Sequence, residues 1–167
     1  MSKSTKQLTM MALLMAMTIA LSTFSIPVPG GHLYFVDFII CLTAFLLPPK
    51  YAAFVAGGGS FLGDVFFNPP SMFITLLVHG FQAYAISSLV GTDKDNIPKW
   101  RAIGALLVGG VIMVVGYSLG RAYFYSTPAY ALMKLPFECI QALFGIVLSF
   151  IVYYSTPIAG EFRKHLR

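Results

Sequence analysis

Four ionisable side chains, Asp37, Asp64, Arg121 and Glu138, fall inside or at the edges of long apolar stretches. A charge in hydrocarbon is costly, so such residues turn toward a cavity or toward one another. Polar residues join them at helical spacing. Thr75, His79 and Gln82 stand four and then three residues apart, and Glu138, Gln141, Gly145 and Ser149 form a similar stripe. Tyr117 lies one turn before Arg121, and Ser60 one turn before Asp64, with Asn68 one turn after it. Carboxylates, amides, an imidazole and phenols suit a small polar aromatic ring compound, which offers a face to stack and edges to hydrogen-bond. The candidate binding residues are Tyr34, Asp37, Asp64, Asn68, His79, Gln82, Tyr117, Arg121, Glu138 and Gln141.

The same residues admit plainer roles. Asp64 or Asp37 with Arg121 could be a structural ion pair, and His79 a satisfied interior histidine. Tyr34, Tyr123, Tyr125 and Tyr130 could belong to an interfacial tyrosine belt, with Tyr117 deeper and a better contact. Catalysis has less to stand on. An intramembrane enzyme needs a metal motif, a nucleophile beside its base, or an arginine-rich phosphate site, whereas His79 has no second histidine nearby, and His32 and His165 fall in a loop and a tail. Gly58 and Gly63 have phosphate-loop spacing, but Asp64 stands where lysine is required. Cys41 and Cys139 show no disulfide or metal pattern. Neither a metal nor a cofactor is expected in this chain.

The elements that must position these residues are membrane helices. Of 167 residues, 57% are hydrophobic and 10% charged, and the mean hydropathy is +0.79. A soluble domain carries roughly 25% charged residues. A span needs roughly 20 apolar residues, and the charge-free runs between breaking prolines place spans at about 8–26, 71–90, 101–121 and 136–157. Between Leu33 and Phe67, Pro48-Pro49 divides a stretch holding Asp37, Lys50 and Asp64. Two short spans, about 33–48 and 51–67, put Lys50 at a surface; a re-entrant hairpin would bury it. The expectation is one all-α domain of six membrane helices, with Ile26–His32 and Tyr123–Pro136 as outer loops. The first span is expected to be retained rather than cleaved as a secretory signal. With both termini cytoplasmic, nine of the 11 lysines and arginines lie inside, leaving Arg121 and Lys134 outside. The net charge of +5 is therefore read as a topology signal, and no nucleic-acid partner is expected. A stand-alone proton-coupled carrier, with Asp37, Asp64 and Glu138 relaying protons, remains the alternative transport reading.

Ala12, Ala16 and Ala20 recur every fourth residue on the first helix, a small-residue groove that lets another helix approach. With that pattern, the stretch from His32 to Phe66, HLYFVDFIICLTAFLLPPKYAAFVAGGGSFLGDVF, resembles the second and third helices of substrate-binding S components of energy-coupling factor (ECF) vitamin transporters. The segment looks most like the hydroxymethylpyrimidine and pyridoxine branch. The resemblance implies capture of a vitamin from outside a bacterial plasma membrane, then toppling against a transmembrane T component. It also implies that Ala12, Ala16 and Ala20 dock that component, and that two cytoplasmic ABC ATPases supply ATP and Mg chemistry.

Overall fold

The computed structural model describes residues 3–94, 96–157 and 160–161. Arg163, Lys164 and Arg167, three of the cations on which the expected orientation rests, lie outside the described residues, as does His165. Among the described residues the chain forms six α-helices and one β-hairpin: α1 Lys3–Ser22, β1 Ser25–Val28, β2 Gly31–Tyr34, α2 Val36–Leu46, α3 Pro49–Phe67, α4 Met72–Val90, α5 Lys99–Gly120 and α6 Pro128–Ser155. Four helical segments are long and apolar enough to cross a membrane: Thr5–Ser22, Pro69–Val90, Lys99–Tyr125 and Pro128–Ser155.

The other two helices differ from them for physical reasons. With 11 residues at about 1.5 Å each, α2 cannot cover a hydrocarbon core about 30 Å thick. It is instead the buried centre of the bundle, packed by α6, α4, α3 and α1, with Ile39, Ile40, Ala44 and Phe45 fully buried. Helix α3 has 19 residues, but Lys50, four glycines, Ser60 and Asp64 dilute its apolar character. At the corner between the two helices Leu47 and Pro48 are extended, and Pro49 opens α3, a position where the missing N–H costs nothing.

Two expectations are corrected here. The first outer loop is a hairpin, in which Ser25 pairs with Tyr34 and Val28 with Gly31. The all-α reading missed it because Pro27, Pro29, Gly30 and Gly31 look like breakers. Yet two short runs separated by Pro29-Gly30 are a hairpin pattern, and Gly30 takes a φ of 82°, which glycine adopts without strain. The second outer loop is largely helix. Beyond α5 the backbone widens into a π-helical turn, Arg121–Tyr125, and α6 starts at Pro128, carrying Pro136 inside it. Either proline satisfies the helix-start rule; the longer helix accommodates the second.

At the end of the bundle away from the hairpin, Lys94 ties down helix ends. Its Nζ donates to Ser87 O at 2.7 Å and Ala44 O at 3.3 Å, carbonyls in the last turns of α4 and α2, where a cation complements the helix dipole. Burial, reinforced by the Arg101 charge, pushes this ammonium down to about 8.

Candidate functional site

Where the hairpin meets the helices, side chains from most elements of the fold enclose a cavity. The room left in it for water-sized molecules is ≈ 30 Å³; one water needs at least about 10–15 Å³ on that measure. The cavity is thus nearly closed upon its own side chains. Three arrangements of charge stand in its walls or directly behind them.

The first is an ion pair. Arg121 Nη2 meets Glu138 Oε1 at 3.3 Å, and Ser118 Oγ donates to Glu138 Oε2 at 3.1 Å. The plainer reading paired Arg121 with Asp37 or Asp64; in the structure its partner is Glu138 of α6.

The second is Asp37, 1% exposed, in the first turn of α2, where the helix dipole favours a negative charge. Gln141 Nε2 donates to its Oδ2 at 2.6 Å, and Gln82 Nε2 to its Oδ1 at 3.3 Å. Asp37 and Gln82 stand behind the cavity wall rather than on it, while the other eight candidates line the cavity. The pair acts on the site through Gln141 and His79.

The third is Asp64, 8% exposed, at the end of α3. Its Oδ2 accepts from Ser71 Oγ at 2.6 Å and Thr75 Oγ1 at 2.5 Å. Asn68 Nδ2 steadies Ser71 Oγ at 2.7 Å. From Thr75 a chain of hydrogen bonds continues to Tyr117 Oη at 2.9 Å, to His79 Nε2 at 2.9 Å, and from His79 Nδ1 to Gln82 Oε1 at 2.8 Å. An ionised Asp37 only accepts, so Gln82 turns its amide nitrogen there and its oxygen to His79, which assigns a proton to Nδ1. A singly protonated imidazole, a phenol and a threonine hydroxyl bring three hydrogens to the four links from Gln82 to Asp64. The fourth requires one more proton, on His79 Nε2 or on Asp64; with the Gln82 amide turned over, that proton sits on Asp37 instead. Isotope-resolved NMR of the ligand-free protein should therefore show both His79 nitrogens protonated, or a protonated carboxyl on Asp64 or Asp37. A singly protonated ring beside two ionised aspartates would contradict the count.

The hairpin roofs the cavity and is held by residues of its wall. Arg121 Nη1 donates to Gly30 O at 2.9 Å, Lys134 Nζ to His32 O at 2.5 Å, and Tyr34 N to Gln141 Oε1 at 3.0 Å. Burial and the nearby Asp64 charge hold the Tyr34 phenol above its ordinary range, against the opposing effect of Arg121. Lys134, only 3% exposed, is a site residue that sequence reasoning missed by assigning it to an outer loop. The signal was its spacing: Lys134, Glu138 and Gln141 share one helical face. Ser71 and Tyr125 also line the cavity unforeseen, whereas Tyr123 and Tyr130 are exposed.

A family model described as "ECF-type riboflavin transporter, S component" matches residues 2–156. The chain belongs to this family. A relative from Pyrococcus woesei, described as an uncharacterized protein in a gap 3' region, is 30% identical to this S component over 135 residues, spanning 80% of this chain and 88% of the relative. A solved structure titled "Structure and mechanism of the S component of a bacterial ECF transporter" has the same fold, with a TM-score of 0.75 over 96% of this chain and 99% of the other at 19% identity. The protein is thus a transporter component of a vitamin-uptake system. On its first helix Leu14 and Thr18 are buried toward the bundle, and Ala12, Ala16 and Ala20 are exposed on the opposite side.

Proposed function

We propose that this S component captures a small water-soluble heterocyclic vitamin or precursor from outside the cell membrane, pyridoxine or hydroxymethylpyrimidine being favoured. Delivery follows by toppling against a T component, with ATP hydrolysed by two partner ATPases. In this reading the six helices form the membrane bundle, both termini are cytoplasmic and the hairpin faces outward. The observation that carries it is a polar cavity roofed by a hairpin anchored to Arg121, Lys134 and Gln141, with Met113 on its apolar wall, backed by Val78 and Ala142. The small free volume favours a single-ring ligand over the tricyclic riboflavin of the family's description, since less of the wall must move. Nanomolar capture requires about −12 kcal/mol, within reach of a closed pocket offering stacking and several hydrogen bonds.

The chain of hydrogen bonds joining Asp64 to Asp37 is the observation that favours a proton-coupled carrier. Against it, the buried residues beyond Gln82 on α4 are Ala83, Ile86 and Val90, which conduct no protons, and Ser87, whose hydroxyl is given to Leu47 O. The discriminating experiment measures binding of pyridoxine, hydroxymethylpyrimidine and riboflavin to the isolated chain, and uptake in proteoliposomes with and without the T component and ATPases. Tight binding by the chain alone, with sustained uptake only in the full assembly, is expected. Proton-driven uptake by the chain alone would replace the proposal with the carrier. Ala16→Leu should leave vitamin binding within about two-fold of wild type, because the residue faces away from the bundle, and should lower uptake several-fold by spoiling close helix approach. Loss of binding instead would assign the alanines to internal packing.

A further inference from the structure

Three buried serines and threonines inside the helices return their hydroxyl to a carbonyl of the preceding turn, and two others, Thr75 and Ser87, bond groups on another element. Thr18 bonds Leu14 O at 2.9 Å, Ser22 bonds Thr18 O at 2.9 Å and Ser149 bonds Ile146 O at 3.1 Å. Ser60 does not. Its side chain is 1% exposed and lines the cavity, yet its Oγ has no hydrogen-bond partner among the described residues. A buried hydroxyl without a partner is costly and calls for a reason. The same wall holds a second such atom, Arg121 Nε, buried and unpartnered although both terminal nitrogens of that guanidinium are bonded. A third position is open on Asp64: Ser71 and Thr75 both donate to Oδ2, and no described residue donates to Oδ1. Thr43 Oγ1 is also unpartnered, but Thr43 belongs to the core of α2 and not to the cavity.

The local fold explains why Ser60 is directed inward. A Cβ at Gly59 would meet Thr18, and one at Gly63 would meet Ser22, so that side of α3 is turned to α1. Ser60 and Asp64, one turn apart, share the neighbouring face, which lines the cavity.

We propose that Ser60 is a specificity-determining contact of this S component. Its hydroxyl, Arg121 Nε–H and Asp64 Oδ1 form one set of ligand anchors. The complementary ligand edge places an acceptor, such as a ring nitrogen, carbonyl or hydroxyl oxygen, against Arg121 Nε–H, and a donor, such as a ring hydroxyl or amino group, against Asp64 Oδ1. Ser60, which both donates and accepts, bonds either. This rests on the vitamin-capture reading and deepens it: the ligand class is a small ring carrying donor and acceptor on one edge.

The test compares Ser60→Ala with the wild-type full chain in detergent, by melting temperature without ligand and by affinity for pyridoxine, hydroxymethylpyrimidine and riboflavin. A hydroxyl bonded only to ligand predicts an unchanged or higher melting temperature without ligand. It also predicts affinity lowered about 3- to 10-fold for whichever probe binds wild type, the worth of one hydrogen bond. A melting temperature lowered by several degrees would mean that the hydroxyl serves the fold, and would overturn the assignment. Unchanged affinity would overturn it while leaving vitamin capture intact. Failure of all three probes to bind wild type is a different result: it would defeat the capture reading and this assignment with it.

Discussion

Glu138→Ala should destabilise the protein by about 3–5 kcal/mol, the usual consequence of removing one member of a buried ion pair. The carboxylate is 1% exposed and accepts from Arg121 and Ser118. Without it the largely enclosed guanidinium, 13% exposed, has no opposing charge in contact, and Lys134 one turn away loses the nearest carboxylate on its own helix. Both cations also hold the hairpin, through Gly30 O and His32 O, so the roof loosens along with the wall. Vitamin affinity should fall by about 2–5 kcal/mol, or roughly 30-fold and more. Chemical unfolding in detergent and equilibrium binding measure the two effects. Combining Glu138→Ala with Arg121→Met removes the stranded charge and should recover part of the stability, but none of the binding. Recovery of binding in the double variant would reduce the pair to a brace.

The long apolar helices were legible because a bilayer imposes a simple requirement, and uninterrupted runs such as Ala102 to Gly120 meet it with few alternatives. The short, wholly buried α2 was legible only as a piece bounded by Pro48-Pro49; its central position depends on four neighbours, which no local pattern reports. The hairpin pattern was overshadowed for a related reason. Proline and glycine mark where a helix stops, and say less about what the backbone does next.

The polar residues separate in the same way. Helical spacing groups Thr75 with His79 and Gln82, and Glu138 with Gln141, since residues three and four apart share a face. Which groups bond one another depends on the rotation of each helix about its axis, so the pairing of Arg121 with Glu138, rather than with either aspartate, required the coordinates. The position of Asp37 behind the wall, reached only through Gln82 and Gln141, required them too. Lys134 was misassigned because a single element boundary was misread: starting α6 at Pro136 leaves the lysine in a loop, and starting it at Pro128 adds it to the stripe of Glu138.

Gly145→Val should be among the most damaging single substitutions, although Gly145 carries no chemistry of its own. A Cβ there would stand 2.7 Å from Asp37 Cβ and 3.1 Å from the Asp37 carbonyl carbon, closer than side chains tolerate, so α6 and α2 must separate. Helix α2 has nowhere to retreat, since its other sides are packed against α1, α3 and α4. Overpacking of this kind costs about 1–3 kcal/mol, and the branched valine belongs at the upper end. The displacement falls on Asp37 itself, whose bonds to Gln141 and Gln82 orient the amides that hold Tyr34 N and His79. Loss of stability should therefore come with loss of vitamin affinity. Gly104→Ala is the matching control. Nothing lies within 4 Å of a Cβ at that position, and replacing glycine with alanine inside a helix gains up to about 1 kcal/mol. The two variants should move the unfolding midpoint in opposite directions. A Gly145→Val protein as stable as wild type would mean that α2 and α6 do not meet at this point, and the placement of Asp37 behind the cavity would have to be abandoned.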